Sequence, residues 1–269
     1  IKLVNEILKS KWIGTGKKTL EFEKNFSKYK NIKYSLGLNS CTAALHLSLL
    51  SLNINKGDEV ITTPLTFCST VNTIIHVGGT PVLADIDENT LNINPQNILK
   101  KITKKTKAII VVHFAGLSCD MDKIMKIAKK YSIKIIEDCA HAIETKYKNK
   151  HAGTFGETGC FSFYSTKNIT TSEGGMLITK NKKISKRVKN LRLHGLSRDA
   201  WKRYSNIGKY KSYDIFEPGF KYNLTNLNAA LGLNQLRKVD IFWKKRKKIW
   251  EYYNNNLNNL PIKLPPKIP

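Results

Sequence analysis

The sequence predicts an α/β protein with a mostly parallel central sheet covered by helices. Short apolar runs recur along its 269 residues, at Tyr34–Leu38, Glu59–Thr63, Val82–Asp85, Ala108–His113 and Lys134–Asp138, and amphipathic helical stretches separate them. Strands and helices alternating on this scale build a sheet that is buried on both faces. Glycine and proline punctuate the connections, and a hydrophobic fraction of 41% is enough for a sizeable core.

Each element has its own signal. Val4, Ile7 and Leu8 make a helical stripe that stops at the Trp12–Gly16 turn, and a second helix carries Leu20, Phe22 and Phe26. The Tyr34–Leu38 strand runs into Asn39–Ala44, which opens a helix with the stripe Leu45, Leu49 and Leu52. Pro64 ends the Glu59–Thr63 strand, while Gly57-Asp58 and Gly78–Pro81 mark turns. Met121, Ile124, Met125 and Ala128 share one helix face. Cys160, Phe161 and Phe163 read as a buried strand, Leu177–Thr179 as another, and Ile184, Val188 and Leu191 face inward from the following helix. Residues 205–216 are polar and aromatic without a period, which reads as a mobile loop near substrate. A last helix begins at Leu224–Leu227 and runs through Ala229, Leu233 and Leu236 to Trp250.

Lys+Arg of 46 against Asp+Glu of 20 gives a formal charge of +26, which on its face suggests a polyanionic partner. The lysines are scattered among asparagines and isoleucines, and no basic-aromatic nucleic-acid module is present, so compositional bias accounts for the charge and no nucleic-acid partner is expected. The chain lacks the run of about eighteen apolar residues that a membrane span needs. Ile1–Lys11 mixes charged and apolar positions, unlike a secretory signal. Five cysteines without Cys-x-x-Cys spacing fit reduced thiols and a cytoplasmic location. No metal site is expected.

Lys167 is the first candidate for chemistry, because the apolar strand through Phe161 and Phe163 runs straight into the polar turn that carries it. An amine hemmed by aromatics and hydroxyls at the mouth of a strand can lose its proton and attack a carbonyl. Most lysines in so basic a chain are solvated charges, so a second signal is needed. Asp138 supplies one: it ends the Lys134–Asp138 strand, and His141 follows three residues later. Ligands of open α/β sheets bind beyond the carboxyl ends of strands, where Asp138 and Lys167 can meet. Pyridoxal phosphate needs that pair, a lysine to hold its aldehyde and a carboxylate to keep its ring nitrogen protonated. Taken alone, Asp138 reads more readily as a helix N-cap.

The phrases Glu137–Ala142, Gly159–Lys167 and Asn168–Met176 resemble the DegT/DnrJ/EryC1/StrS family of pyridoxal-phosphate sugar aminotransferases. The resemblance runs from Trp12–Gly16 to about Leu236. Within the family, His194–Trp201 and Pro218–Thr225 are most similar to enzymes that make UDP-4-amino-4-deoxy-L-arabinose. The resemblance implies the type I fold of pyridoxal-phosphate transferases and a pyridoxal 5'-phosphate cofactor. It also implies a keto nucleotide sugar as substrate, aminated at C4 with glutamate as donor and 2-oxoglutarate as product. Lys167, Asp138 and His141 carry over as catalytic residues, with His141 buttressing the cofactor ring or its hydroxyl. Thr42 and Ala43 carry over as phosphate ligands at a helix N-terminus, where free amides and the helix dipole favour an anion. Ser162 offers the phosphate a hydroxyl, and Phe67 an aromatic face to the ring. Without the resemblance, Phe67 reads as a core residue, Thr42 as part of an ordinary cap, His141 as an interior histidine and Ser162 as a strand-end hydroxyl.

One loop departs from the family. Many members have asparagine and arginine where this chain has Lys221 and Asn223, in a loop that reaches the phosphate in the neighbouring subunit; Lys221 or Asn223 serves here, with Asn223 favoured, and a homodimer is implied. Two other functions stay open, a deoxysugar dehydratase and a non-catalytic regulatory relative. The family's dehydratases carry histidine at the position of Lys167, and retention of Asp138 with Lys167 favours a working transaminase. Residues 1–240 are expected to form the large cofactor domain, lacking its first residues, and 241–269 the start of a truncated small C-terminal domain. The missing part is expected to cover the stripe of Leu227, Leu231, Ile241 and Trp243, leaving this stretch alone poorly soluble or oligomeric and inactive.

Overall fold

The computed structural model describes residues 1–197 and 213–266, so residues 205–212 of the expected substrate loop lie outside the described residues. In chain order the strands are β1 (Tyr34–Leu38), β2 (Glu59–Thr62), β3 (Thr80–Leu83), β4 (Thr106–Val112), β5 (Lys134–Asp138), β6 (Lys146–Tyr147), β7 (Lys150–His151), β8 (Thr158–Ser162) and β9 (Gly175–Thr179). β6 and β7 pair as a small hairpin; the other seven form one sheet in the order β1-β9-β8-β5-β4-β2-β3. β3, β2, β4, β5 and β8 run parallel, and only β9 opposes its neighbours β8 and β1 within this sheet.

The helices are α1 (Lys2–Lys9), α2 (Lys17–Lys30), α3 (Cys41–Ser51), α4 (Cys68–His76), α5 (Pro95–Lys101), α6 (Met121–Tyr131), α7 (Lys182–Leu191), α8 (Asn226–Leu236) and α9 (Val239–Asn256). They cover both faces of the sheet, and the strands show it by alternation. Cys160 and Leu177 join the core beneath α3 and α7, while Phe161, Met176 and Ile178 join the core beneath α2 and α8. Period-2 side-chain direction sorts neighbouring residues onto opposite faces. Phe22, Phe26, Phe161 and Phe163 form one aromatic cluster with centroids 5.2–6.1 Å apart, edge-to-face except for the tilted Phe22–Phe163 pair. Gly57 and Gly78 take φ of 93° and 82°, the left-handed region that a turn before β2 and β3 can use only cheaply with glycine.

Several expectations need adjusting. Leu8 faces solvent, and α1 seats Leu3 and Ile7 instead. The third strand begins at Thr80 and ends at Leu83, because Pro81 lies on an edge strand where its missing N–H costs nothing. The last helix is two helices, interrupted at Arg237-Lys238, and the boundary expected between residues 240 and 241 falls in the first turn of α9. Of the expected stripe, Ile241 and Trp243 are exposed, whereas Leu227 and Leu231 are half-buried. Among the described residues, no helix is long and apolar enough to cross a membrane.

Candidate active site

The site residues converge at the carboxyl ends of the parallel strands. Leu38 of β1 pairs with Gly175, Gly175 with Ser162, Cys160 with Asp138, and Asp138 with Val112, so two rows, offset by two residues along β8, bring the ends of β1, β8, β5 and β4 to the start of β9. α3 starts from the first of these rows. Ser40 caps it, its Oγ accepting from the Ala43 amide at 3.0 Å. That bond occupies Ala43, whereas the amides of Cys41 and Thr42 precede the first intrahelical bond and point out of the helix end. The close approach depends on Gly175. A Cβ there would lie 2.3 Å from the carbonyl carbon and oxygen of Ser40, rigid backbone on both sides. Gly175→Ala is therefore expected to cost about 1–3 kcal/mol of stability, measured by denaturant unfolding; an unchanged midpoint would contradict this seating of α3.

Asp138 is 4% exposed. Its Oδ2 accepts from Thr70 Oγ1 at 2.9 Å and its Oδ1 from the Ala140 amide at 3.1 Å. Burial pushes its carboxyl pKa up, against the pull of those two bonds, and no ion pair among the described residues involves it. The preceding Glu137 points to the opposite face and behaves differently. Burial alone would raise it, but His113 Nε2 at 3.1 Å and the amides of Gly153, Phe155 and Gly156 at 2.7–2.8 Å hold its carboxyl below the usual value. Two adjacent carboxyls are thus driven apart, one stably ionised and structural, the other left short of a cation.

Phe67 corrects one reading. It caps α4 at 75% exposure rather than lying in the core, one turn before Thr70, so the same helix start presents an uncovered ring and a hydroxyl that orients Asp138. Ser162 ends β8 half-buried and accepts from the Tyr164 amide at 3.3 Å. Asn223 and Lys221 lie beside the start of α3, where the Asn39 amide donates to Tyr222 O at 2.8 Å. Asn223 Nδ2 donates to Thr15 Oγ1 of its own chain at 2.7 Å, while Lys221 is exposed.

Lys167 meets His141 directly, Nζ to Nε2 at 2.9 Å. The ammonium donates and the imidazole accepts, which requires a neutral ring with its proton on Nδ1. Burial, and then the Lys167 charge, lower the His141 pKa. Removing the charge removes the second cause, so in Lys167→Met the His141 ring titrates at higher pH than in the parent, by NMR. An unchanged or lower value would show that the two side chains do not touch in solution.

A cavity of about 1220 Å3 is lined by Tyr29, Asn92, Glu144, Tyr147 and Trp243 among others, and includes none of Lys167, His141 and Asp138. Thr70 and Glu144 carry no sequence signal for their positions. Asn168, adjacent to Lys167, is the residue whose bond to Glu144 links that cavity wall to the lysine turn.

All 269 residues match the model of the DegT/DnrJ/EryC1/StrS aminotransferase family. The chain is 53% identical over 268 residues to an uncharacterized protein of Methanocaldococcus jannaschii, covering 98% of this chain and 69% of that one. It is 48% identical over 261 residues to the spore coat polysaccharide biosynthesis protein SpsC of Bacillus subtilis, covering 97% and 67%. Among solved structures, the putative sugar aminotransferase Spr1654 of Streptococcus pneumoniae in its PMP form superposes with a TM-score of 0.89 at 35% identity, covering 96% of this chain and 69% of that one; a PLP form is also known. The type I architecture expected from the sequence is thereby met. The chain belongs to the DegT/DnrJ/EryC1/StrS aminotransferase family, enzymes that transfer amino groups to sugars with pyridoxal phosphate.

Proposed function

We propose that the protein aminates a keto nucleotide sugar at C4, taking the amino group from glutamate, in the cytoplasm, for cell-surface polysaccharide or lipopolysaccharide precursors. The observation that carries the reading is the contact of Lys167 Nζ with His141 Nε2 beyond the ends of β8 and β5, beside a buried Asp138 that has no paired cation among the described residues. This donor set suits pyridoxal phosphate, which when bound supplies an aldehyde for amine exchange and a ring that takes up electrons. The Cys41 and Thr42 amides and the Ser162 hydroxyl would hold the phosphate, with Ala43 contributing through the Ser40 cap. Phe67 would offer its uncovered ring to the face of the heterocycle, and Asp138 would keep the ring nitrogen protonated. Lys167 would hold the aldehyde, and its Nζ would serve as general base and acid, moving a proton between the substrate carbon and the cofactor. His141 stays neutral and steers that amine.

We assign the reach into a neighbouring subunit of a homodimer to Lys221 rather than Asn223, since Asn223 is bonded to Thr15 at home. Incubation of the intact natural protein with glutamate and a panel of keto nucleotide sugars, products read by mass, tests the reading. A 4-amino sugar with 2-oxoglutarate is expected. Loss of a sugar hydroxyl without amination would make it a dehydratase instead, and no turnover of any 4-keto sugar would reject the substrate class.

A further inference from the structure

We propose that Glu144 is a positioning residue for the lysine turn, clamped from outside by Arg246 of α9. The Glu144 side chain is only 8% exposed and both its oxygens are engaged: Oε2 accepts from Asn168 Nδ2 at 2.7 Å, and Oε1 pairs with the Arg246 guanidinium. Asn168 directly follows Lys167, and Glu144 lies three residues beyond His141. The loop of residues 139–145 therefore grips the lysine turn at two successive side chains, His141 on Lys167 and Glu144 on Asn168. That loop is a firm base. Ala142 N donates to Cys139 O at 2.9 Å, buried Lys30 Nζ to Ile143 O at 3.0 Å, and Thr145 Oγ1 to Gly116 O at 2.6 Å.

The turn has its own anchors further along, where the Thr171 amide and the Thr170 hydroxyl both donate to Phe163 O at 2.9 and 3.1 Å. Around Lys167 itself the backbone contributes one bond, from its amide to Tyr164 O at 3.0 Å. The Glu144–Asn168 bond is the tether nearest the lysine on its C-terminal side. Arg246 serves a different purpose. A carboxylate with this little exposure needs a counter-charge, and a guanidinium supplies one with directional bonds. The consequence is a chain of contacts, α9 to Glu144 to Asn168, through which the orientation of α9 reaches Lys167.

The relay stands on geometry alone; its consequence for cofactor capture rests on the role proposed for Lys167. Two readouts separate them. His141 ring resonances report the Lys167 contact without any cofactor: they are expected to shift in Glu144→Ala and Asn168→Ala, and to stay near the parent in Glu144→Gln, whose amide oxygen still accepts from Asn168. Borohydride trapping of pyridoxal phosphate, mapped by peptide mass, is expected to slow about tenfold in the two alanine variants, to recover in Glu144→Gln, and to slow no further in the double variant. Arg246→Ala should give an intermediate effect. His141 resonances in both alanine variants that coincide with the parent, in proteins with unchanged unfolding midpoints, would overturn the relay. An adduct on another lysine in the parent would overturn the role of Lys167, and the resonances would still decide the relay.

Discussion

Lys167→Ala is expected to fold normally and to turn over at least about ten-thousandfold more slowly than the parent, because in the role proposed for Lys167 it deletes the bond-forming amine together with a general acid-base group, and the latter alone supplies about 10²–10⁴. The fold has little stake in the side chain. Lys167 is half-buried, and its hydrogen bond goes to His141, so the expected change in stability is within about 0.5 kcal/mol. Lys167→Arg sharpens the result. A guanidinium keeps the cation beside His141 but is never deprotonated, so it cannot attack a carbonyl. Both variants should lose the borohydride adduct and be equally inactive, which assigns the loss to nucleophilicity rather than charge. Turnover of either variant within tenfold of the parent would remove Lys167 from the chemistry.

The elements that sequence placed well are those whose signal is local. Tyr34–Leu38 and Lys134–Asp138 match β1 and β5 residue for residue, because an apolar run bounded by polar residues needs no distant partner to be recognised. Pro81 misled, since a breaker within a strand is tolerated only on an edge, and edge position is a property of the whole sheet. The reversed direction of β9 was likewise illegible, as period-2 burial is the same for either direction. In the site, Asp138 and Lys167 announced themselves by following strands, yet their proximity depends on β5 lying beside β8, a neighbour relation that no short window contains. Phe67 looked like core because an aromatic after a proline-ended strand carries no mark of exposure. Thr70 and Glu144 were silent for a similar reason: a hydroxyl inside a helix and an acid in a loop are ordinary until the fold aims them at Asp138 and Asn168.

Asp138→Asn separates what the residue does for folding from what it does for chemistry. With burial as the first cause, the native state holds the Asp138 proton more tightly than the unfolded chain does. By linkage, the cofactor-free protein loses stability as pH rises from the unfolded value of about 3.9 through the raised native one, and above both it bears the full penalty of a buried, unpaired carboxylate. Asparagine has no such proton to lose. It also fits the existing bonds: its Oδ1 accepts from the Ala140 amide, and its Nδ2 donates to Thr70 Oγ1, which can turn its own proton to Thr66 Oγ1 at 2.8 Å. The cofactor-free variant should therefore unfold at a higher temperature than the parent at pH 7, and at a similar temperature near pH 3. Turnover should move the other way. A carboxylate touching a pyridinium is worth roughly 4–5 kcal/mol at an effective dielectric of about 20, and even half of that, lost with the charge, lowers turnover about thirtyfold or more. Cofactor binding through the phosphate and Lys167 should survive. A variant that is both less stable at pH 7 and nearly as active as the parent would place the ring-nitrogen partner elsewhere and leave Asp138 as a turn residue held by Thr70 and the Ala140 amide, since no helix starts there for it to cap.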